Sequence, residues 1–279
     1  MPRFSNKTVI VTGSSSGIGR SAAVLFAQKG AYVTITGRNS EKLQATKQQI
    51  LKAGISEKQV NVVVADLTTD EGQDEIIKST VAKFGGIDIL INNAGAWIPD
   101  PQGKAGTDTS IETYHKTLQT NLQTVVQMTQ KAKPYLIKSK GEIVNVSSIV
   151  AGPQAQPETV YYAMAKAALD QYTKSSAIDL IQHGVRVNSV SPGIVSSDFM
   201  GAAGMPKQAF QKFYTFLSAQ KECIPAGFTG RPKDIANVIV FLADRQLSAY
   251  IIGQSIVVDG GSSLVMGMQA HDMQKMLGM

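Results

Sequence analysis

The stretch Thr12-Gly13-Ser14-Ser15-Ser16-Gly17-Ile18-Gly19-Arg20 follows directly on the apolar run Val9-Ile10-Val11 and runs into Ser21-Ala22-Ala23-Val24-Leu25-Phe26-Ala27. An apolar run, a cluster of small residues and a helix-forming run, in that order, read as a strand, a tight turn and a helix N-terminus. Free amides and a partial positive charge at such an N-terminus attract phosphate. Glycines let the backbone approach a pyrophosphate closely. The spacing of Gly13, Gly17 and Gly19 is G-x-x-x-G-x-G, which differs from the G-x-G-x-x-G dinucleotide fingerprint, so its weight comes from its place between strand and helix.

Outward from this turn, short Val- and Ile-rich runs recur at Val9 to Val11, Val33 to Ile35, Val60 to Val64, Ile87 to Ile91, Ile143 to Val146, Val185 to Val190 and Ile256 to Val258. Nearly continuous apolar strands suit a sheet covered on both faces. Between them lie helix-length segments at Ser40 to Ala53, Asp70 to Phe84, Thr109 to Ala132, Tyr162 to His183 and Pro232 to Ala243. The alternation predicts an α/β protein with a parallel, doubly wound sheet and helices on both faces. No linker or low-complexity block interrupts it, so residues 1–279 read as one domain. The longest departure, Ser196 to Gly230, follows a strand end, where such sheets bind ligands, and reads as a helical substrate lid.

Composition narrows the partners. Among 279 residues, 43% are hydrophobic and 17% charged, an ordinary globular balance. The lone cysteine, Cys223, excludes an intrachain disulfide and a cysteine-based metal cluster; no metal is expected. The net charge of +6 comes from scattered Lys and Arg, which argues against nucleic acid and for a basic surface with a small anionic ligand. No apolar run reaches the ~18 residues a membrane helix requires. With only Met1 to Asn6 ahead of the first strand, no leader peptide is expected, and the default expectation is a cytoplasmic protein.

The second strand ends in Gly37-Arg38-Asn39, where an acid would grip the ribose hydroxyls of NAD. Arg38 instead offers a charge-assisted fork to a 2'-phosphate and Asn39 a further donor, so the expected cofactor is NADP(H). Asp66-Leu67, at the third strand end, are placed to flank the adenine. Farther on, Tyr-Tyr-Ala-Met-Ala-Lys puts Tyr162 and Lys166 four apart on one helical face, whereas Tyr161 points elsewhere. An ammonium beside a phenol is expected to lower the phenol's pKa from about 10 toward neutrality, making it an acid/base. Upstream, a strand ends at Ser147-Ser148, where a hydroxyl can hold a carbonyl or alcohol oxygen near Tyr162.

Thr-Gly-Ser-Ser-Ser-Gly-Ile-Gly from Thr12, Asn-Asn-Ala-Gly from Asn92, Asn121 in a helix, Val-Ser-Ser before Tyr162 and Lys166, and Ser-Pro-Gly-Ile-Val-Ser-Ser-Asp-Phe from Ser191 together resemble the short-chain dehydrogenase/reductase family over nearly the whole length. The resemblance implies a single Rossmann-like domain with a sheet of about seven strands that moves hydride between nicotinamide and a carbonyl or alcohol. It implies Tyr162 as acid/base, Lys166 as its partner and ribose ligand, Ser148 as the substrate hydroxyl with Ser147 in reserve, and Asn121 as holder of a relay water. The loop Gly13, Ser15, Ser16, Gly17, Ile18 and Gly19 would line the pyrophosphate, and Asn93, Ala94 and Gly95 the adenine-side ribose. Pro192, Gly193 and Val195 would shape the nicotinamide pocket. Ser197 stands where the family often has threonine and would bond the carboxamide. The resemblance also implies a homo-oligomer, a tetramer or a dimer, meeting near Tyr250 to Ser263.

Within the family, the chain looks most like the tropinone-reductase-like carbonyl reductases. Phe199, Met200, Met205, Phe210, Phe213, Tyr214, Phe216 and Leu217 in the lid point to an apolar or mixed ketone, steroid or quinone, or form the lid's own packing face. The alternatives are a 3-oxoacyl carrier-protein reductase and a catalytically idle dinucleotide-binding regulator. The intact Tyr162 and Lys166 speak against the latter. Five of the ten methionines fall in the tail from Met266.

Overall fold

The computed structural model describes residues 2–204 and 206–265; Met205 and the methionine-rich tail lie outside them. Strand β1 (Thr8–Val11) runs into α1 (Gly17–Gln28), then β2 (Tyr32–Gly37), α2 (Ser40–Lys52), β3 (Val60–Val64), α3 (Asp70–Phe84) and β4 (Ile89–Asn92). The second half continues with α4 (Ile111–Leu118), α5 (Thr124–Ser139), β5 (Glu142–Val146), α6 (Val160–Ile181) and β6 (Arg186–Pro192). After these come α7 (Phe199–Ala202), α8 (Lys207–Ala219), α9 (Pro232–Ala243), α10 (Arg245–Ser248) and β7 (Ser255–Val258).

All strand pairs are parallel, and the seven-stranded sheet has the order β3-β2-β1-β4-β5-β6-β7. Because side chains alternate across a strand, Val9 and Val11 face one way and Ile10 the other. The first pair packs with Ala22, Phe26, Ile235 and Ile239 of α1 and α9. Ile10 joins Ile76, Leu90, Met128, Leu136 and Ile143 with α3 and α5 on the opposite face. Both faces are thus covered, which is why the strands read as apolar runs. The chain leaves β1 toward β2 and leaves β4 toward β5, on opposite sides, so a crevice opens at their C-terminal ends.

The helix anticipated over Thr109 to Ala132 is built differently. It begins at Ile111, is interrupted by a π-turn at Gln119–Gln123, and continues through Pro134 to Ser139. Periodicity cannot show the π-turn, because one widened turn shifts the register without changing residue types. The excursion after β6 is closed at its base: Val195 bridges Gly230, Ser196 N donates to Gly230 O at 2.8 Å, and Gly230 N donates to Ile194 O at 2.9 Å. Its two ends therefore meet, with α7 and α8 between them.

Candidate active site

The turn after β1 is held from both sides. Ser14 is fully buried; its Oγ accepts from Thr36 N at 2.8 Å, tying the turn to β2. Thr12 Oγ1 accepts from Asn93 N at 2.9 Å and Ala94 N at 3.0 Å, and Asn93 Nδ2 donates to Thr12 O at 2.8 Å and Gly13 O at 3.2 Å. A Cβ on Gly13, whose φ is +63°, would lie 2.9 Å from Ala94 Cα, and one on Gly19 would collide with Asn93 Nδ2. These two glycines are therefore dictated by the close seam between the turns after β1 and β4. Ser15, Ser16, Gly17 and Ile18 remain partly accessible on the crevice side. The first turn of α1 has no acidic residue, and Ser16 at the N-cap makes no side-chain cap, so the helix presents its amides to an anion.

At the end of β2, Arg38 and Asn39 are exposed. Asn39 Oδ1 accepts from Lys42 N at 2.8 Å and caps α2, which leaves the amide NH2 as its donor to a ligand. Asp66 accepts from Thr68 N at 2.9 Å; that bond first of all, with a smaller pull from Arg38, holds its carboxyl below the ordinary range. Leu67 follows at the same strand end, its side chain buried in the core with Ile76 and Ile77.

The end of β4 and helix α6 bring the reactive groups together. Lys166, only 3% exposed, donates from Nζ to Val146 O at 2.8 Å and lies 5.6 Å from the centre of the Tyr162 ring. A Cβ on Gly95 would lie 2.8 Å from Asn121 Oδ1 and 3.3 Å from Lys166 Nζ, so Gly95 marks where the three meet. Asn121, in the π-turn and fully buried, accepts from Ala96 N at 3.0 Å and donates to Ala96 O at 2.8 Å and Thr117 O at 3.0 Å. Its amide braces the turn after β4, so a water at Asn121 would rest on the main chain.

The two adjacent hydroxyl pairs, Tyr161-Tyr162 and Ser147-Ser148, have different surroundings. Tyr161 donates its hydroxyl to Thr109 O at 3.0 Å and packs edge-on against Tyr114, away from Lys166. Ser147 is buried and donates to Lys166 O at 3.4 Å, whereas Ser148 is partly exposed, starts a short turn, and accepts from Val150 N at 3.4 Å. Ser148 is thus the hydroxyl available to a ligand. Across the crevice, a Cβ on Gly17 would lie 3.5 Å from Ser197 Cβ, and the Phe199 ring stands 5.9 Å from that of Tyr162. Ser197 Oγ accepts from Phe199 N at 3.4 Å. Pro192-Gly193 packs on Asp259, since a Cβ on Gly193 would lie 2.6 Å from Asp259 Cβ.

The expected lowering of the Tyr162 pKa is not met. Burial pushes the phenol above its ordinary value, and the nearby Ser148 hydroxyl acts weakly in the other direction. The physical reason is that water is withdrawn from the phenolate while the Lys166 ammonium is directed to a carbonyl. Burial also pushes Lys166 down to about 8, with Asp170 opposing it. Thr12 and the latching role of Asn93 were missed by the sequence reading, although both residues sit inside the Thr-Gly and Asn-Asn-Ala-Gly motifs.

A family model described as enoyl-(acyl carrier protein) reductase matches residues 13–263. The chain is 69% identical to a crystallised Caenorhabditis elegans protein described as a short-chain dehydrogenase/reductase of unknown function with cofactor. That match has a TM-score of 0.96 and covers 97% of this chain and 100% of the other. A glucose dehydrogenase of Caenorhabditis elegans, in its apo form, matches with a TM-score of 0.81 at 55% identity over 94% of this chain and 100% of its own. The 3-oxoacyl-[acyl-carrier-protein] reductase of Thermotoga maritima is 35% identical over 93% of this chain and 98% of its own length.

Proposed function

The chain belongs to the short-chain dehydrogenase/reductase family of oxidoreductases, and from that premise we propose that it is an NADP(H)-dependent enzyme interconverting a carbonyl and a secondary alcohol on an apolar or mixed small molecule. The observation that carries the reading is the convergence of Ser148, Tyr162 and Lys166 beside the uncapped N-terminus of α1. The residues fit a dinucleotide. The open turn from Gly13 to Gly19 would take its pyrophosphate, Arg38 and the Asn39 amide its 2'-phosphate, Asp66 its adenine, and Lys166 with the main chain of Asn93 to Gly95 its riboses. Pro192, Gly193, Val195 and Ser197 would border the nicotinamide, which when bound supplies or accepts the hydride.

In the reducing direction, Tyr162 Oη gives its proton to the substrate oxygen, which Ser148 holds. The positive charge on Lys166 then stabilises the phenolate left behind. A neutral phenol at rest suits this role, because a general acid must carry its proton at the working pH. In the oxidising direction the same groups run in reverse, with Tyr162 as base.

Lid helices α7 and α8 place Phe199 against Tyr162 and leave Phe213 and Phe216 exposed, while Phe210 packs inward on Gly201. The apolar lid residues thus divide between the two uses the sequence left open, and the tropinone-reductase-like reading rests on the stretches from Val33 to Leu43 and from Tyr161 to Leu180. A homo-oligomer, tetramer or dimer, is part of the same reading: β7 is the last strand of the described sheet, and Val257, Phe241, Leu247 and Tyr250 near it are exposed. So is a cytoplasmic location, consistent with the free Cys223. Among the described residues no helix is long and apolar enough to cross a membrane, and no His, Cys, Asp and Glu cluster suits a metal.

The test is titration with NADPH and NADH, then turnover on ketones, quinones, steroids, sugars and 3-oxoacyl thioesters followed by reduced-nicotinamide absorbance. Turnover of a ketone, steroid or quinone with NADPH supports the proposal. Turnover confined to 3-oxoacyl thioesters supports the second reading, a 3-oxoacyl carrier-protein reductase, the activity named for the Thermotoga relative. Tight binding without turnover across the panel points to an idle regulator.

A further inference from the structure

One carboxylate stands directly behind the reactive pair. Asp170 lies four residues past Lys166 on α6, hence on the same helical face, and is partly buried against the sheet. Ser189 Oγ, from β6, donates to Asp170 Oδ1 at 3.5 Å. Lys166 is itself enclosed, with Nζ on Val146 O at 2.8 Å, and among the described residues no ion pair joins it to Asp170 or to any other acid. A buried ammonium without a contacting counterion is costly unless a nearby negative charge offsets it.

We propose that Asp170 is a positioning residue of this site, a carboxylate one helical turn past Lys166 and hydrogen-bonded to Ser189 of β6, that acts through space on the Lys166 ammonium beneath Tyr162. It touches neither substrate nor cofactor and works through Lys166. The charges acting on it are Lys174 and Lys166, both on α6, while β5 and β6 present neutral hydroxyls. Burial raises the Asp170 pKa, and these neighbours pull it back. Asp170 in turn raises that of Lys166 against burial. The inference deepens the proposed function, because it rests on Lys166 serving Tyr162.

The test titrates Lys166 in the cofactor-free protein by NMR of 13Cε-labelled lysine, the resonance being identified by its loss in Lys166→Met. Asp170→Asn keeps the shape and hydrogen-bonding capacity and removes only the charge. Its Lys166 midpoint is expected about one pH unit below that of the unaltered protein. Asp170→Glu restores the midpoint, and the pH profile of turnover moves with it. A folded Asp170→Asn protein with an unmoved midpoint overturns the proposal, even if its melting temperature falls. Should that variant not fold, Ser189→Ala removes a donor to the carboxylate and lowers the midpoint in the same sense by a smaller amount; no change there also overturns it. A protein with the shifted midpoint but no turnover on any substrate sinks the enzymatic reading and leaves the charge coupling standing.

Discussion

Tyr162 is asked to release a proton that its surroundings hold tightly, so removal of that proton is the sharpest intervention at this site. Tyr162→Phe is expected to lower turnover by at least about a hundred- to ten-thousandfold, the usual worth of a positioned acid, while NADPH binding persists. Steady-state rates set beside a fluorescence titration of NADPH check both halves. At the other end of the crevice, Arg38 is exposed, and its proposed ligand is the one phosphate that distinguishes the two nicotinamide cofactors. Arg38→Ala is expected to weaken NADPH by about ten- to a hundredfold and NADH by far less, as loss of a charge-assisted hydrogen bond dictates. Equal losses in parallel titrations would remove that contact.

At the scale of the element, the turn after β4 depends on a helix that is not regular. The π-turn Gln119–Gln123 carries Asn121 inward, and its amide satisfies both main-chain groups of Ala96, next to Gly95 and Lys166. Asn121→Ala leaves the Ala96 N–H and C=O without these partners, at a cost of about 1–3 kcal/mol. Urea denaturation is expected to show that loss, and turnover to fall more than NADPH affinity, because the turn positions Lys166. The approach to α4 is held by Asp100, which accepts from Gln102 N at 2.9 Å, Ser110 N at 2.9 Å and Thr113 Oγ1 at 3.1 Å. The Ser110 bonds first, then that from Gln102, hold its carboxyl well below the usual range. A depressed folded pKa contributes stability that is fully present above the unfolded value and is lost as pH falls through the folded one. Stability is therefore expected to decline below about pH 4, and in Asp100→Asn to decline less steeply, measured as urea midpoints across that range.

For the whole molecule, the sheet ends at β7, whose Val257 is 52% exposed beside an almost fully exposed Tyr250. An uncovered apolar strand at a sheet margin favours pairing with a second copy. Sedimentation velocity is expected to show a dimer or tetramer, and Val257→Lys to shift it toward smaller species; a monomer in the unaltered protein would remove the oligomer from the proposal.

The sequence by itself determined the α/β class and the strand and helix order, and it supplied the proposed lid from 196 to 230 and the proposed residue types of the site. It could do so because buried parallel strands are continuously apolar, and because a phosphate turn and a Tyr and Lys pair four apart are local patterns. Only the tertiary structure decided the rest. It buried Ser147 and left Ser148 partly exposed, since a group distant in sequence takes up the Ser147 hydroxyl. It turned Leu67 into the core, placed the π-turn at Asn121, and raised the Tyr162 pKa where helical spacing to Lys166 alone suggests a lowering. The common reason is that hydrogen-bond satisfaction and desolvation depend on which groups surround an atom, and for these atoms the deciding groups come from other strands and helices.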